Sequence, residues 1–231
     1  MVVAALYDVH GNIPALEAVL GELDGIELDV LLFGGDVAAG PFPHETIELL
    51  RGLDARFVLG NADRTLIDGT LGSMFDWATT QVTEDDKAFL RGFEQTVAID
   101  DVLYCHSTPR SDEEWITILT PDDLAEHILG EVGHPTLVQG HTHTQFDRLI
   151  GSTRVVNAGS VGMPNAEEPG AYWLLVEDGE PHQRRTPYDL DAAAARLRES
   201  EWPLLEEWLQ ERVLSPLTPL EAAEMVEGRR G

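Results

Sequence analysis

Cysteine and lysine are nearly missing from this chain: Cys105 and Lys87 are the sole examples of each. One thiol excludes an internal disulfide and fits a reducing cytoplasm, the compartment expected here. Without cysteine pairs there is no basis for structural zinc. Positive charge is scarce as well, with fifteen basic residues against 42 acidic ones and a formal net charge of -27. Such a surface repels phosphate backbones, which argues against long nucleic acid as a partner. Long apolar runs are absent too. Residues 1–6 are apolar, but no basic residue precedes them and Asp8 follows closely. They fit neither a signal peptide nor a membrane span.

What is present suffices for a core: 231 residues, 43% of them hydrophobic, fit one domain with an appendage. Hydrophobic patterning predicts strands over 2–7, 30–33 and 56–59, with helices over 14–23 and 44–50 between them. Residues 64–91 read as mixed helix and loop. Strands over 96–99 and 102–105 flank an Asp100-Asp101 turn, a helix follows over 122–129, and another strand run starts at 137–139. Short strands over 146–150, 154–157, 171–177 and 183–186, joined by glycine-bearing turns, fit an antiparallel portion of sheet. From Asp189 onward helices are expected over 190–199, 203–213 and 219–227. Early βα units followed by many short strands indicate an α/β sandwich, with ligand-bearing loops at the carboxyl ends of strands.

Those strand ends carry the chemistry. Asp8-Val9-His10-Gly11-Asn12, Gly34-Gly35-Asp36 and Gly60-Asn61-Ala62-Asp63 come first; Cys105-His106-Ser107 and Gly140-His141-Thr142-His143 follow. Mixed carboxylate, amide and imidazole donors suit manganese, iron, cobalt, nickel or zinc better than calcium. The i, i+2 spacing of Asp8/His10 and His141/His143 lets both members of each pair project to one side if the chain is extended there.

In this order the five clusters resemble the calcineurin-like metallophosphoesterase superfamily, whose pattern runs D-x-H-G, G-D, G-N-H-D/E, H and G-H-x-H. The resemblance spans residues 1–187. The segments 8–13, 40–43 and 157–164 look most like its small bacterial and archaeal phosphodiesterase branch. What the resemblance implies is a four-layer αββα sandwich with two mixed sheets flanked by helices. It also implies two divalent transition-metal ions, manganese foremost. Asp8, His10, Asp36 and His143 would hold the first; Asp36, Asn61, His106 and His141 would hold the second. Asp36 would bridge them, and Asp36, Asn61 and His106 would stand at the reacting centre. A hydroxide between the metals would attack the phosphorus of a small diester or monoester.

One position departs from the pattern: Ala62 stands where the family has His. Alanine cannot protonate a leaving group, so a preference for diesters or activated esters is expected. Asn12, Arg64 and Arg110 are the substrate-binding candidates, while His44 and Cys105 read as an exposed and a buried structural residue. The 157–164 run reads as a tight loop beneath the metals. The longer insertions over 64–91 and 107–130, with Trp77 and Trp115, are expected to form the substrate rim. Residues 188–231 form a helical extension to the 1–187 domain. Its apolar face of Trp202, Leu205, Trp208, Leu209 and Val213 would pack on that domain or on a second subunit. Two rivals belong to other readings: a non-catalytic protein-interaction scaffold and a nuclease for short oligonucleotides.

Overall fold

A computed structural model of the chain describes residues 1–69 and 74–230. Its strands are, in chain order, β1 (Val2–Leu6), β2 (Val30–Phe33), β3 (Arg56–Phe57), β4 (Thr96–Ile99), β5 (Val102–Cys105), β6 (Thr136–Gln139), β7 (Phe146–Ile150), β8 (Thr153–Asn157), β9 (Ala171–Glu177) and β10 (Glu180–Thr186). The helices are α1 (Ile13–Leu23), α2 (Pro43–Arg51), α3 (Asn61–Asp68), α4 (Asp76–Thr79), α5 (Glu84–Leu90), α6 (Asp122–Leu129), α7 (Leu190–Leu197), α8 (Leu205–Trp208) and α9 (Pro219–Glu227). A π-helical stretch, Leu209–Leu214, continues α8.

The strands form two five-stranded mixed sheets, ordered β10-β9-β1-β2-β3 and β4-β5-β6-β8-β7. β1 runs parallel to β2 with Ala4 opposite Leu31, and antiparallel to β9 with Ala4 opposite Leu175. Side chains alternate along a strand, so β1 serves two cores. Val3 and Ala5, continued by Tyr7, meet Val97, Tyr104, Val138 and Val156 of the other sheet. Ala4 and Leu6 instead pack with Leu16 and Val19 of α1 and Ile47 and Leu50 of α2. On the far face of the second sheet, Leu103, Leu137 and Val155 pack against Ala125, Ile128 and Leu129 of α6. Helix, sheet, sheet and helix are therefore stacked in four layers. Each fully buried Leu or Val in these cores contributes about 1.5–3 kcal/mol.

The four late strands do not share one antiparallel sheet. β7 and β8 pair in the second sheet and β9 and β10 in the first. Between them the chain crosses over, with Val161 N–H donating to Tyr7 O and Tyr172 N–H to Ser160 O. Turn chemistry marks a hairpin without saying which sheet it joins. The helix expected over 203–213 is also interrupted, becoming α8 and the π-helical stretch. Trp202, Leu205, Trp208, Leu209 and Val213 are all buried in this same chain, with Met163, Phe42, Phe75 and Trp77 packed among them. That apolar face is consumed internally and is not an exposed subunit contact. Among the described residues no helix is long and apolar enough to cross a membrane.

Candidate metal centre

The loops leaving β1, β2, β3, β5 and β6 meet at one edge of the sandwich. Their backbones are unusual there. Of the seven described non-glycine residues with positive φ, five are Asp8, His10, Asp36, His141 and His143. The other two, Asp100 and Asp178, sit in hairpin turns. Asp8 and His10 thus converge through left-handed kinks rather than through the extended chain expected from their spacing. Such backbone costs on the order of 1–3 kcal/mol per residue and persists only where the surroundings enforce it.

The enforcing hydrogen bonds come largely from backbone. His10 N–H donates to Asp36 O at 2.9 Å, and Gly162 N–H donates to Asp8 O at 3.0 Å. Ser160 Oγ donates to the same Asp8 carbonyl at 2.7 Å. Asn157 Nδ2 donates to Gly140 O at 2.6 Å, anchoring the turn that carries His141 and His143. The 157–164 loop therefore underlies the centre as a brace.

Two groups of side chains result: Asp8, His10 and His143, and Asp36, His106 and His141. In each, one donor atom per residue lies within 4.8 Å of the others. Asp36 Oδ2 stands between the groups, 3.8 Å from His10 Nε2 and 3.4 Å from His106 Nε2. The pair His141/His143 is split, one residue to each group. Nδ1 of His10, His106 and His143 faces the backbone carbonyls of Ala39, Gly34 and Met163 at 3.1, 2.9 and 3.0 Å. Carbonyls accept only, so each Nδ1 carries its proton and each Nε2 is left to face inward.

Consequently His10 Nε2 and His143 Nε2 lie 3.2 Å apart with their lone pairs opposed. Asp8 Oδ1 sits 3.3 Å from His143 Nε2, buried and with no hydrogen-bond partner. Its other oxygen accepts from His141 N–H. A cation resolves this convergence of acceptors, and the mixed oxygen and imidazole set fits a divalent transition metal. In the second group Asn61 Oδ1 lies 3.1 Å from His106 Nε2. Turned over, the Asn61 amide would donate to His106 Nε2 and to His141 Nδ1, at 3.1 and 2.9 Å. A metal calls for the oxygen inward, where it would serve as a ligand.

Electrostatics follow from the same crowding. Burial, reinforced by His143, lowers the His10 pKa to about 4; burial and His106 do the same to His141. Both imidazoles are neutral at neutral pH, as coordination requires. Burial opposes a charge on His106, but the charge and hydrogen bond of Asp36, with help from Asp8 and the Gly34 carbonyl, outweigh it and raise the value to about 10. A cation there replaces that proton. Burial also works against ionised Asp8 and Asp36, yet the facing imidazoles, His143 and His106 first, hold both below the usual carboxylate range.

Asp63 closes the Gly60-Asn61-Ala62-Asp63 cluster, and the structure gives it a bracing task. It is fully buried, and its carboxylate accepts from Asp36 N, Val37 N and Gly60 N at 2.8, 2.9 and 3.2 Å. It ties the start of α3 to the Asp36 loop. Its place in the family pattern was the available signal. Ala62 lies in the first core, 2% exposed, and its N–H donates to Asp36 Oδ1 at 2.7 Å. Its methyl group packs in that core, so an imidazole at position 62 would have to displace packed side chains.

The substrate candidates fare otherwise than expected. Asn12 caps α1: Oδ1 accepts from Ala15 N and Nδ2 donates to Gly162 O. Arg64 pairs with Asp112 and Glu113, and Arg110 with Glu114. Each of the three is engaged with a partner inside the protein. His44 lies outside the centre on α2, 2.8 Å from Asp86, and burial pushes the Cys105 thiol pKa up. The extension contributes what the motifs did not announce. Phe75 stacks on His10, Trp202 stacks on Phe75, and Trp208 packs on Trp202. The Trp208 indole N–H donates to Met163 Sδ at 3.4 Å, and the Met163 carbonyl holds His143.

Comparison with known proteins agrees with this architecture. The sequence model of the calcineurin-like phosphoesterase superfamily domain matches residues 1–179. An uncharacterized protein of Methanocaldococcus jannaschii is 24% identical over 241 residues, covering 91% of this chain and 96% of that protein. The crystal structure of a metallophosphoesterase from Sphaerobacter thermophilus superposes with TM-score 0.74 at 24% identity, covering 91% of this chain and 97% of that one. A hypothetical protein from Pyrococcus horikoshii OT3 superposes with TM-score 0.79 at 20% identity, covering 94% and 99% respectively.

Proposed function

The chain belongs to the calcineurin-like phosphoesterase superfamily, and we propose that it hydrolyses a phosphodiester of a small molecule at two divalent cations. Asp8, His10, His143 and Asp36 would hold one cation; Asp36, Asn61, His106 and His141 would hold the other. The observation that carries this reading is the convergence of Asp8 Oδ1, His10 Nε2 and His143 Nε2 with no donor among them, beside a second group sharing Asp36. When bound, such a pair of cations acidifies a water and offsets charge that builds on the phosphate oxygens.

The chain's own contribution is positioning. Three backbone carbonyls fix the imidazole tautomers, Asp63 locks the Asp36 loop, and the left-handed turns aim the ligands before substrate arrives. In the net reaction an oxygen from water bonds to phosphorus, the P–O bond to one ester arm breaks, and a proton from that water leaves with the alcohol. Ala62 supplies no acid for the departing oxygen, which favours diesters and esters of acidic alcohols.

The test is turnover of bis-p-nitrophenyl phosphate and p-nitrophenyl phosphate by metal-stripped protein reloaded with manganese, beside Asp36→Asn. Expected are metal-dependent hydrolysis, faster on the diester, and a loss of about a hundredfold or more in the variant. Folded, metal-loaded protein that hydrolyses neither ester with manganese, cobalt, nickel or zinc would replace this reading with a non-catalytic scaffold.

A further inference from the structure

A cavity of about 370 Å³ opens beside His141 and His143, a size that suits a small molecule. Its walls include Met74, Trp115, Met163 and Met225, and two arginines, Arg212 and Arg229. Those arginines stand apart from the rest. The chain has fourteen arginines, and eleven of them are ion-paired among the described residues. Neither Arg212 nor Arg229 has a side-chain partner there, and the third unpaired arginine, Arg184, lies at a different surface. Glu113 is the one carboxylate residue described on this cavity wall, and Arg64 already holds it at 2.8 Å.

In a chain with 42 acidic residues, two unpaired guanidiniums at one cavity are conspicuous. Both line one cavity, and an entering anion there gains charge-assisted hydrogen bonds from them. Both come from the carboxyl-terminal extension. Arg212 sits in the π-helical stretch, a distortion frequent at functional sites, and Arg229 follows the Gly228 cap of α9. The four apolar side chains offer a surface for an uncharged body between that anion and the scissile phosphorus.

Resting on the phosphoesterase reading, we propose that the substrate carries a second phosphate on the ester arm that enters this cavity, bound by Arg212 and Arg229. The extension then determines which diester is accepted. The experiment compares thymidine 5′-(p-nitrophenyl phosphate) with the same ester bearing a 3′-phosphate, on manganese-loaded protein. The wild type is expected to favour the 3′-phosphorylated ester by about tenfold in kcat/KM, chiefly through KM, and Arg212→Gln/Arg229→Gln to bring the ratio near one. Calorimetry gives a second readout: tighter binding of thymidine 3′,5′-bisphosphate than of thymidine 5′-phosphate, lost in the double variant. Exposed Arg229→Gln alone, expected to lower both ratios, serves if the double variant misfolds.

A wild-type ratio near one, or a ratio untouched by the substitutions, overturns the proposal. Absence of all turnover with the calorimetric preference intact overturns the phosphoesterase reading and keeps the anion pocket.

Discussion

At Gly60 a single hydrogen decides the geometry of Asp36. A Cβ at that position would lie against Asp36 Oδ1 and N, closer than van der Waals contact permits. Gly35 is similarly confined, since its Cβ would fall 2.6 Å from His106 Nδ1 at a φ of +97°. These residues are small because the Asp36 side chain and the His106 ring pass close to their backbone. Gly60→Ala is therefore expected to leave far-UV circular dichroism native while lowering bound metal below two equivalents and turnover by about a hundredfold. Full metal occupancy in that variant would show that Asp36 tolerates displacement and is not the shared ligand. The same crowding explains why Asp8, His10, Asp36, His141 and His143 adopt backbone that non-glycine residues rarely take.

Element packing determines how the cavity wall is held. α9 docks on the 107–130 insertion through Glu227, whose Oε1 accepts from Thr117 Oγ1 and Thr120 Oγ1 at 2.8 and 2.5 Å. Arg230 binds the same carboxylate and lies over Trp115 at 5.1 Å. From the other side Arg148 donates to the carbonyls of Thr117 and Thr120. Burial opposes ionisation of Glu227, but Arg230, Thr120 and Thr117 outweigh it and lower its pKa below 4.5. A carboxylate depressed in the folded state contributes stability that is fully present above its unfolded value and lost as pH falls through the folded one. Glu227→Gln should thus melt below the wild type at about pH 6, with the gap closing toward about pH 3. A gap independent of pH would assign the effect to packing rather than to charge. Hydrogen exchange should quicken in α9 first, because that helix depends on the contact.

For the whole molecule the dominant quantity is the net charge of -27. Exposed ion pairs such as Arg56–Glu94 and Arg198–Glu206 contribute little, whereas summed repulsion among carboxylates opposes compaction. Salt shortens the screening distance from about 30 Å at 0.01 M to about 8 Å at 0.15 M. Calorimetric Tm is therefore expected to rise with sodium chloride in chelator-treated protein. A fall would mean that attractive pairs outweigh the repulsion. The acidic surface also leaves few places of unpaired positive charge among the described residues, the Arg212/Arg229 cavity among them.

Local sequence was enough for the element types and for the order of the five clusters, because hydrophobic period, turn residues and donor chemistry are short-range properties. Most helices and strands fall within a few residues of their expected places, and Asp8, His10, Asp36, Asn61, His106, His141 and His143 are marked by residue type and order alone. Tertiary structure decided the rest, where the cause lies far along the chain. Asn12 faces Gly162, Arg64 faces Asp112, and Ala62 turns its methyl into a core, none of which neighbouring residues could announce. Whether β9 and β10 join β1 or β8 is settled by which sheet edge is open, not by the turn between them. The left-handed ligand backbones exist only because loops from both sheets hold them. Arg212 and Arg229 come to one cavity wall only when the carboxyl-terminal extension folds back beside His143, since an arginine is unpaired by virtue of its surroundings and not of its sequence.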